Sequence, residues 1–202
     1  MVTIAPIGYS ILTRIDKDQI FKDIERAART CYKSEALITQ DSADKLVKNL
    51  VERGHWAMIE HAIPITVRII GDRGVSHELV RHRLASFAQE STRFINYLKA
   101  LGIQFIVPEW FYAKDEQREI LLDVYDYCEK GYNKLIGLKT PPEIARSVLP
   151  IGIRAEIVIT ANMREWKHIF SLRTTHYAHP TIRAIMKDIQ HELRALIPYI
   201  FD

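Results

Sequence analysis

The sequence predicts an α+β fold, a single domain over residues 1–202 in which a mixed sheet packs with several helices. Three observations predict it. Apolar residues alternate along 63–69 and again along 153–161, as in half-buried strands. They recur at helical spacing in at least four other stretches. The two kinds of segment do not follow the regular strand–helix alternation of a doubly wound sheet.

Taken in order, the first fourteen residues read as a strand and turn. Ile20, Phe21, Ile24, Ala27, Ala28 and Cys31 share one face of a helix over about 17–31. Asp41 or Ser42 starts a second helix striped by Ala43, Leu46, Val47, Leu50 and Val51, and Gly54 ends it. Ile63, Ile65, Val67 and Ile69 form a strand, GDRG (71–74) a turn, and Ser76 caps a helix running through Leu79, Val80, Leu84 and Phe87. IQFIV (103–107) is a strand stopped by Pro108. A long helix with Leu121, Val124, Tyr125, Cys128, Tyr132 and Leu135 on one face follows. Thr140-Pro-Pro-Glu143 has the form of a capping box with proline at the first helical position. After the strand at 153–161, Asn162 and Glu165 open a helix carrying Arg164, His168 and Arg173. Pro180 starts the last helix, with Ile182, Ile185, Met186, Ile189, Leu193 and Leu196 inward.

Hydrophobic residues make up 48% and charged residues 26%, the balance of an ordinary soluble domain. No apolar run approaches the ~20 residues of a membrane span, and MVTIAPIGYSIL has neither a basic leader nor a small-residue cleavage site. Cys31 and Cys128 are too few for a disulfide framework or a thiolate metal site. A cytoplasmic protein without membrane partners is expected. Net charge is only +3, but Arg81, Arg83 and Arg93 crowd one stretch, which suits an anionic ligand better than a nucleic-acid face.

Several chemistries are excluded. There is no GxGxxG, no GxxxxGK[ST] and no GxSxG, so a nucleotide must be held by side chains and helix ends. His77-Glu78 and His82 resemble a zinc-protease motif with one residue too many. On one helix a step of five turns the second imidazole roughly 140° from the first. His176 and His179 stand three apart with no carboxylate nearby in sequence, which favours a helix-end or hydrogen-bonding role. No metal is expected.

The stretch Arg81-His82-Arg83 through Gln89-Glu90-Ser91 to Arg93 is the richest in recognition chemistry. Arginine offers planar bidentate donors for phosphate, serine a hydroxyl, and glutamine an amide for a base edge. His82, between two arginines, is discouraged from protonating. These residues fit a nucleotide site in a polar loop, and they equally fit a structural salt-bridge cluster.

Arg-His-Arg, seven residues and then Ser resembles the signature of the flavin-dependent thymidylate synthases. The likeness runs through ELVRHRLASFAQESTRF and extends to AARTCY (27–32), GHWAMIEH (54–61), ARSVLP (145–150), ANMREW (161–166) and SLRTTHYAHPTIR (171–183). It covers roughly 20–185. The resemblance implies FAD as cofactor, dUMP as substrate, methylenetetrahydrofolate as carbon donor and NADPH as reductant, in a homotetramer with shared sites. By similarity, His55, Ala57, Glu60, Arg81, His82, Arg83, Gln89, Asn162, Arg164 and His168 contact flavin. Glu78, Arg81, Gln89, Glu90, Ser91, Arg93 and Arg146 surround dUMP, and Arg146 is supplied in some members by a neighbouring subunit. Arg173 matches the arginine that polarises the uracil ring, with no covalent enzyme nucleophile. Position 57 is Ala where the family often has a hydroxyl residue, and 168 is His where Asn is common. HYAHPTIR also departs from the usual sequence after Arg173. Read without the family, Asn162 is a helix cap, Arg164 pairs with an acidic neighbour, and His55 satisfies a buried partner beside Trp56. The rival class is a nucleic-acid-binding module using the arginines of 73–93, which lacks a basic run or a binding motif.

Overall fold

The two alternating segments form the longest strands, and they pair with each other over eight residues each, from Ile65↔Ala161 to Asp72↔Arg154. The structure, a computed structural model, describes residues 2–100 and 102–202; Met1, the first residue of the expected N-terminal strand and turn, lies outside them. The elements begin with β1 (Thr3–Ile4), β2 (Gly8–Ile11), α1 (Lys17–Thr30), α2 (Ser42–Glu52), α3 (Trp56–Ile59), β3 (Ile65–Asp72) and α4 (Arg73–Leu79). They continue with β4 (Ser86–Gln89), β5 (Gln104–Phe105), α5 (Asp115–Gly137), α6 (Pro142–Ala145), β6 (Arg154–Ala161), α7 (Met163–Arg173) and α8 (Pro180–Leu196).

The α+β class holds, with parallel and antiparallel pairing divided between two sheets. Four strands in the order β2-β3-β6-β4 are antiparallel throughout, while β1 and β5 form a separate parallel pair. On one face of the larger sheet Ile65, Val67 and Ile69 meet Ile157, Ile159 and Ala161. There they join Ile20, Phe21 and Ile24 of α1, Trp166 and Phe170 of α7, and Ile182 to Leu193 of α8 in the main core. A second core, with Phe105, Tyr125, Tyr132 and Ile153, ties α5 to the small sheet. Tyr125 lies so close to Gly152 that a Cβ there would overlap the phenol, and the Tyr125 hydroxyl donates to the Ile106 carbonyl at 3.0 Å.

Gly54, at φ +71°, ends α2 in the left-handed region as expected. Asn162 caps α7, its side chain accepting from the Glu165 N–H at 2.8 Å. His179 caps α8, its Nδ1 accepting from the Thr181 N–H, the helix-end role expected of the 176/179 pair.

The segment after β3 departs from expectation. GDRG is no turn: Gly71 and Asp72 finish β3, and Arg73 and Gly74 open α4 directly. Asp72, not Ser76, is the cap, accepting from the Val75 N–H at 2.8 Å. The helix stops at Leu79, so Phe87 belongs to β4, an edge strand paired with β6. A short polar-flanked strand mimics a helix tail when only its apolar residues are counted. Gln89 therefore lies on a strand, not in a loop. The helix after Thr140 is a single turn whose N-cap is Pro141, with no side-chain cap, because two prolines already set its backbone.

Candidate active site

His82 is brought by the bend after α4 against the C-terminal turn of α7. It is buried at 5% exposure. Arg173, on the last turn of α7, donates from Nε to His82 Nε2 at 3.1 Å. It also donates from Nη1 to Glu78 Oε2 at 2.7 Å and from Nη2 to the Glu78 carbonyl at 3.1 Å. Three of its five N–H donors are thus committed, leaving two. On the other side of the imidazole, Glu165 Oε1 stands 3.6 Å from Nδ1, and the His168 ring lies edge-on at 5.8 Å between centroids.

Burial, then Arg173, then His168 push the His82 pKa down to about 4, so the ring is neutral at pH 7. The neutral state agrees with the expectation from sequence, but the cause differs. Arg81 and Arg83 are exposed, and the flanking cation that counts is Arg173, ninety-one residues away in the chain. Burial raises the Glu165 carboxyl above its ordinary value.

A cavity of about 530 Å³ is lined by Gln89, Glu90, Tyr97, Arg154 and Glu156 with apolar Ala88 and Val158, and shares no residue with the His82 cluster. Glu90 is fixed from three sides. Tyr97 Oη donates to one carboxylate oxygen at 2.7 Å, Arg154 Nη1 donates to the other at 3.1 Å, and the Glu90 carbonyl accepts from Arg73. Gln89 uses one N–H of its amide on Ser76 Oγ at 2.7 Å, so its carbonyl and its second N–H are left to recognise a ligand. Sequence reasoning missed Tyr97, Arg154 and Ser76. Arg154 begins a strand whose even positions face away from the core, a pattern visible in the alternation.

A smaller cavity of about 290 Å³ gathers Arg73, His77, Thr92 and Arg146. Arg146 Nη1 donates to the buried Thr92 hydroxyl at 3.1 Å, and Arg93 pairs with Glu143 at 2.9 Å. Between them the Ser91 hydroxyl accepts from the Arg93 N–H at 3.3 Å. From the sequence His77 is weighed only as part of a metal motif and Arg73 only among the arginines of the rival nucleic-acid reading, neither as a ligand of this site.

The upstream flavin candidates are on the surface. Glu60 pairs with Arg164 at 2.6 Å, while His55 and Ala57 are exposed. His55 lines a separate cavity with Cys31, Arg53 and Met58, so the reading of it as satisfying a buried partner fails. Arg81 and Arg83 carry no ion pair or side-chain hydrogen bond among the described residues. The chain thus joins Glu78, His82, Arg173 and His168 closely, and leaves Arg81, Arg83 and His55 as outlying polar groups. No helix among the described residues is long and apolar enough to cross a membrane.

The whole architecture is shared with a nucleotide methylase of known structure. A UMP/dUMP methylase, PolB, from Streptomyces cacaoi, crystallised with 5-Br dUMP, superposes with a TM-score of 0.80 over 100% of this chain and 95% of its own. At 23% identity that likeness establishes the fold. Sequence settles the family: this chain belongs to the flavin-dependent thymidylate synthases. A family model described as thymidylate synthase complementing protein matches residues 15–199. The flavin-dependent thymidylate synthase of Geobacter sulfurreducens is 32% identical over 87% of this chain and 78% of its own. That of Saccharolobus solfataricus is 33% identical over 81% of this chain and 62% of its own, so the chain spans under two thirds of that relative.

Proposed function

We propose that the protein methylates dUMP to dTMP, with methylenetetrahydrofolate giving the carbon and NADPH-reduced FAD the hydride. The observation that carries this reading is the anchored guanidinium of Arg173. Glu78 and His82 hold it from two sides, and two of its N–H donors are left for a ligand. A preorganised donor of this kind stabilises negative charge that develops on a pyrimidine ring during attack from carbon 5.

The residues present fit FAD. Exposed Arg81 and Arg83, without internal partners, suit a pyrophosphate, and the imidazoles of His82 and His168 offer a neutral ring edge and an exposed ring. Asn162, Arg164 and Glu60 complete the group, with Gln89 between flavin and nucleotide. FAD when bound supplies hydride chemistry that no side chain has. The dUMP phosphate is assigned to Ser91 and Arg93 with Arg146, and its base to Glu78, Gln89, Glu90 and Arg173. The dispersion of these groups over one protomer supports a homotetramer with sites completed across subunits. The neutral His82 and the absence of any imidazole bonded to a serine or cysteine among the described residues support a reaction without a covalent enzyme nucleophile.

The test is direct. Purified protein should take up FAD, turn yellow, and oxidise NADPH with formation of dTMP only when dUMP and the folate are both supplied. A protein that takes up no flavin on titration overturns the reading.

A further inference from the structure

We infer that Glu165 is a positioning residue, whose buried carboxylate keeps the proton of His82 on Nδ1 so that Nε2 remains an acceptor for Arg173. A neutral imidazole has one N–H and one lone pair. Arg173 Nε can only donate, so the lone pair must be on Nε2, 3.1 Å away, and the proton on Nδ1. Glu165 Oε1 lies 3.6 Å from that Nδ1. The separation is longer than a hydrogen bond, yet at that range an N–H dipole is attracted to the carboxylate and a lone pair is repelled. Both side chains are about 95% buried, at 4% and 5% exposure, so little water screens the effect.

The backbone of Glu165 is itself fixed. Its N–H takes the Asn162 cap at 2.8 Å in the first turn of α7, while Arg173 leaves the last turn of the same helix. One helix therefore places both the group that sets the tautomer and the group that reads it. His82, Glu165 and His168 also bring potential ligand atoms within 4.8 Å of one another, the grouping of a small cation site. A cation on Nδ1 would move the proton to Nε2, where it would face the Arg173 N–H across 3.1 Å, donor against donor. The arrangement is consequently a tautomer relay, Glu165 to His82 to Arg173, and its effect on turnover rests on the function proposed above.

The test uses the whole protein labelled with ¹⁵N in the histidine rings. Ring-nitrogen correlations are assigned to His82 by their loss in His82→Gln. In the wild type, Nδ1 should be protonated and Nε2 unprotonated. Glu165→Gln, whose amide oxygen can still face Nδ1–H, should keep this pattern and a kcat within about threefold of the wild type. Glu165→Leu should move a substantial share of the proton to Nε2, with kcat falling on the order of tenfold and the KM for dUMP changing less, because the guanidinium loses its fixed orientation. Three results overturn the inference: a protonated Nε2 in the wild type, a Leu variant with unchanged tautomer, or a Gln variant that loses turnover as the Leu variant does. Should Glu165→Leu fail to fold, the wild-type ring nitrogens and the Gln variant decide. If the protein shows no dUMP methylation at all, the function proposal fails, and the ring nitrogens still decide the tautomer separately.

Discussion

Arg173 Nε donates to His82 Nε2 at 3.1 Å, joining the end of α7 to the bend that follows α4. The contact makes the state of one ring a condition for the orientation of the other side chain. Burial is the first reason that His82 carries no charge, and the contact adds the second, since a protonated imidazole would present another cation to Arg173.

Stability should therefore fall as the pH is lowered through the His82 window. The folded pKa of about 4 lies below the ordinary 6.5. Between those values the unfolded chain binds a proton that the folded one refuses. The contribution is fully present above about 6.5, declines as the pH falls, and is gone below about 4, for a total of about 3 kcal/mol. Glu165, held above its ordinary value, works in the opposite sense. Melting curves of the wild type and His82→Gln, both of which retain Glu165, should isolate the effect. Parallel curves across this range would remove the claim.

Arg173→Lys should lose turnover by on the order of a hundredfold or more, close to Arg173→Ala, while FAD absorbance persists. An ammonium has no planar fork to meet Glu78 and His82 together and still offer donors outward. Steady-state rates at saturating dUMP check this, and near wild-type turnover in the lysine variant would show that orientation is not what the residue contributes.

How far the site was legible in the sequence depends on chain distance. The capping of α7 by Asn162 and the strands expected along 63–69 and 153–161 follow from local patterns, and the structure contains them as 65–72 and 154–161, whose pairing only the fold shows. The Arg-His-Arg segment was visible as recognition chemistry, but the sequence neighbours of His82 suggested the wrong cation. Arg173 reaches it only because the sheet carries α4 and α7 together. β4 was lost for a different reason. Four residues with two apolar positions carry too little periodicity to separate a strand from a fading helix, and only pairing with β6 decides it.

Gly152→Ala tests the second core. A Cβ at 152 would overlap the Tyr125 phenol, which is held in place by its bond to the Ile106 carbonyl and stacks on Phe105 at 4.4 Å between centroids. The ring cannot move without leaving an orphaned carbonyl, so the variant should lose about 1–3 kcal/mol. Gly152→Ala combined with Tyr125→Phe, which removes the hydroxyl, should recover part of the loss. Denaturant midpoints measure both.

Arg146→Ala should raise the KM for dUMP with a smaller change in kcat. Arg146 meets Thr92, Arg73 and His77 at one small cavity, a cationic group well suited to a phosphate. Its single side-chain bond among the described residues, to Thr92, predicts little loss of melting temperature, since Arg146 itself is exposed. An unchanged KM with a lowered melting temperature would assign it a structural part instead.

Ser91 should act as a ligand for dUMP and not as a nucleophile. It is the fixed end of the Arg-His-Arg signature, and a serine at such a position invites a covalent role. An activated serine needs a base within hydrogen-bond reach, oriented by a third group. Here the Ser91 hydroxyl accepts only from the Arg93 backbone N–H among the described residues, at 3.3 Å. His82, the nearest imidazole along the chain on the signature, is spoken for by Arg173 on one nitrogen and faced by Glu165 on the other. With Arg93 two residues on and Arg146 bonded to the neighbouring Thr92, the hydroxyl suits the phosphate role proposed for it. Ser91→Ala should weaken dUMP binding by about 1–3 kcal/mol while dTMP formation persists at saturating dUMP. Mass spectrometry of the wild type during turnover should find no nucleotide on Ser91. A trapped adduct there, or complete loss of product at every dUMP concentration, would reverse the assignment.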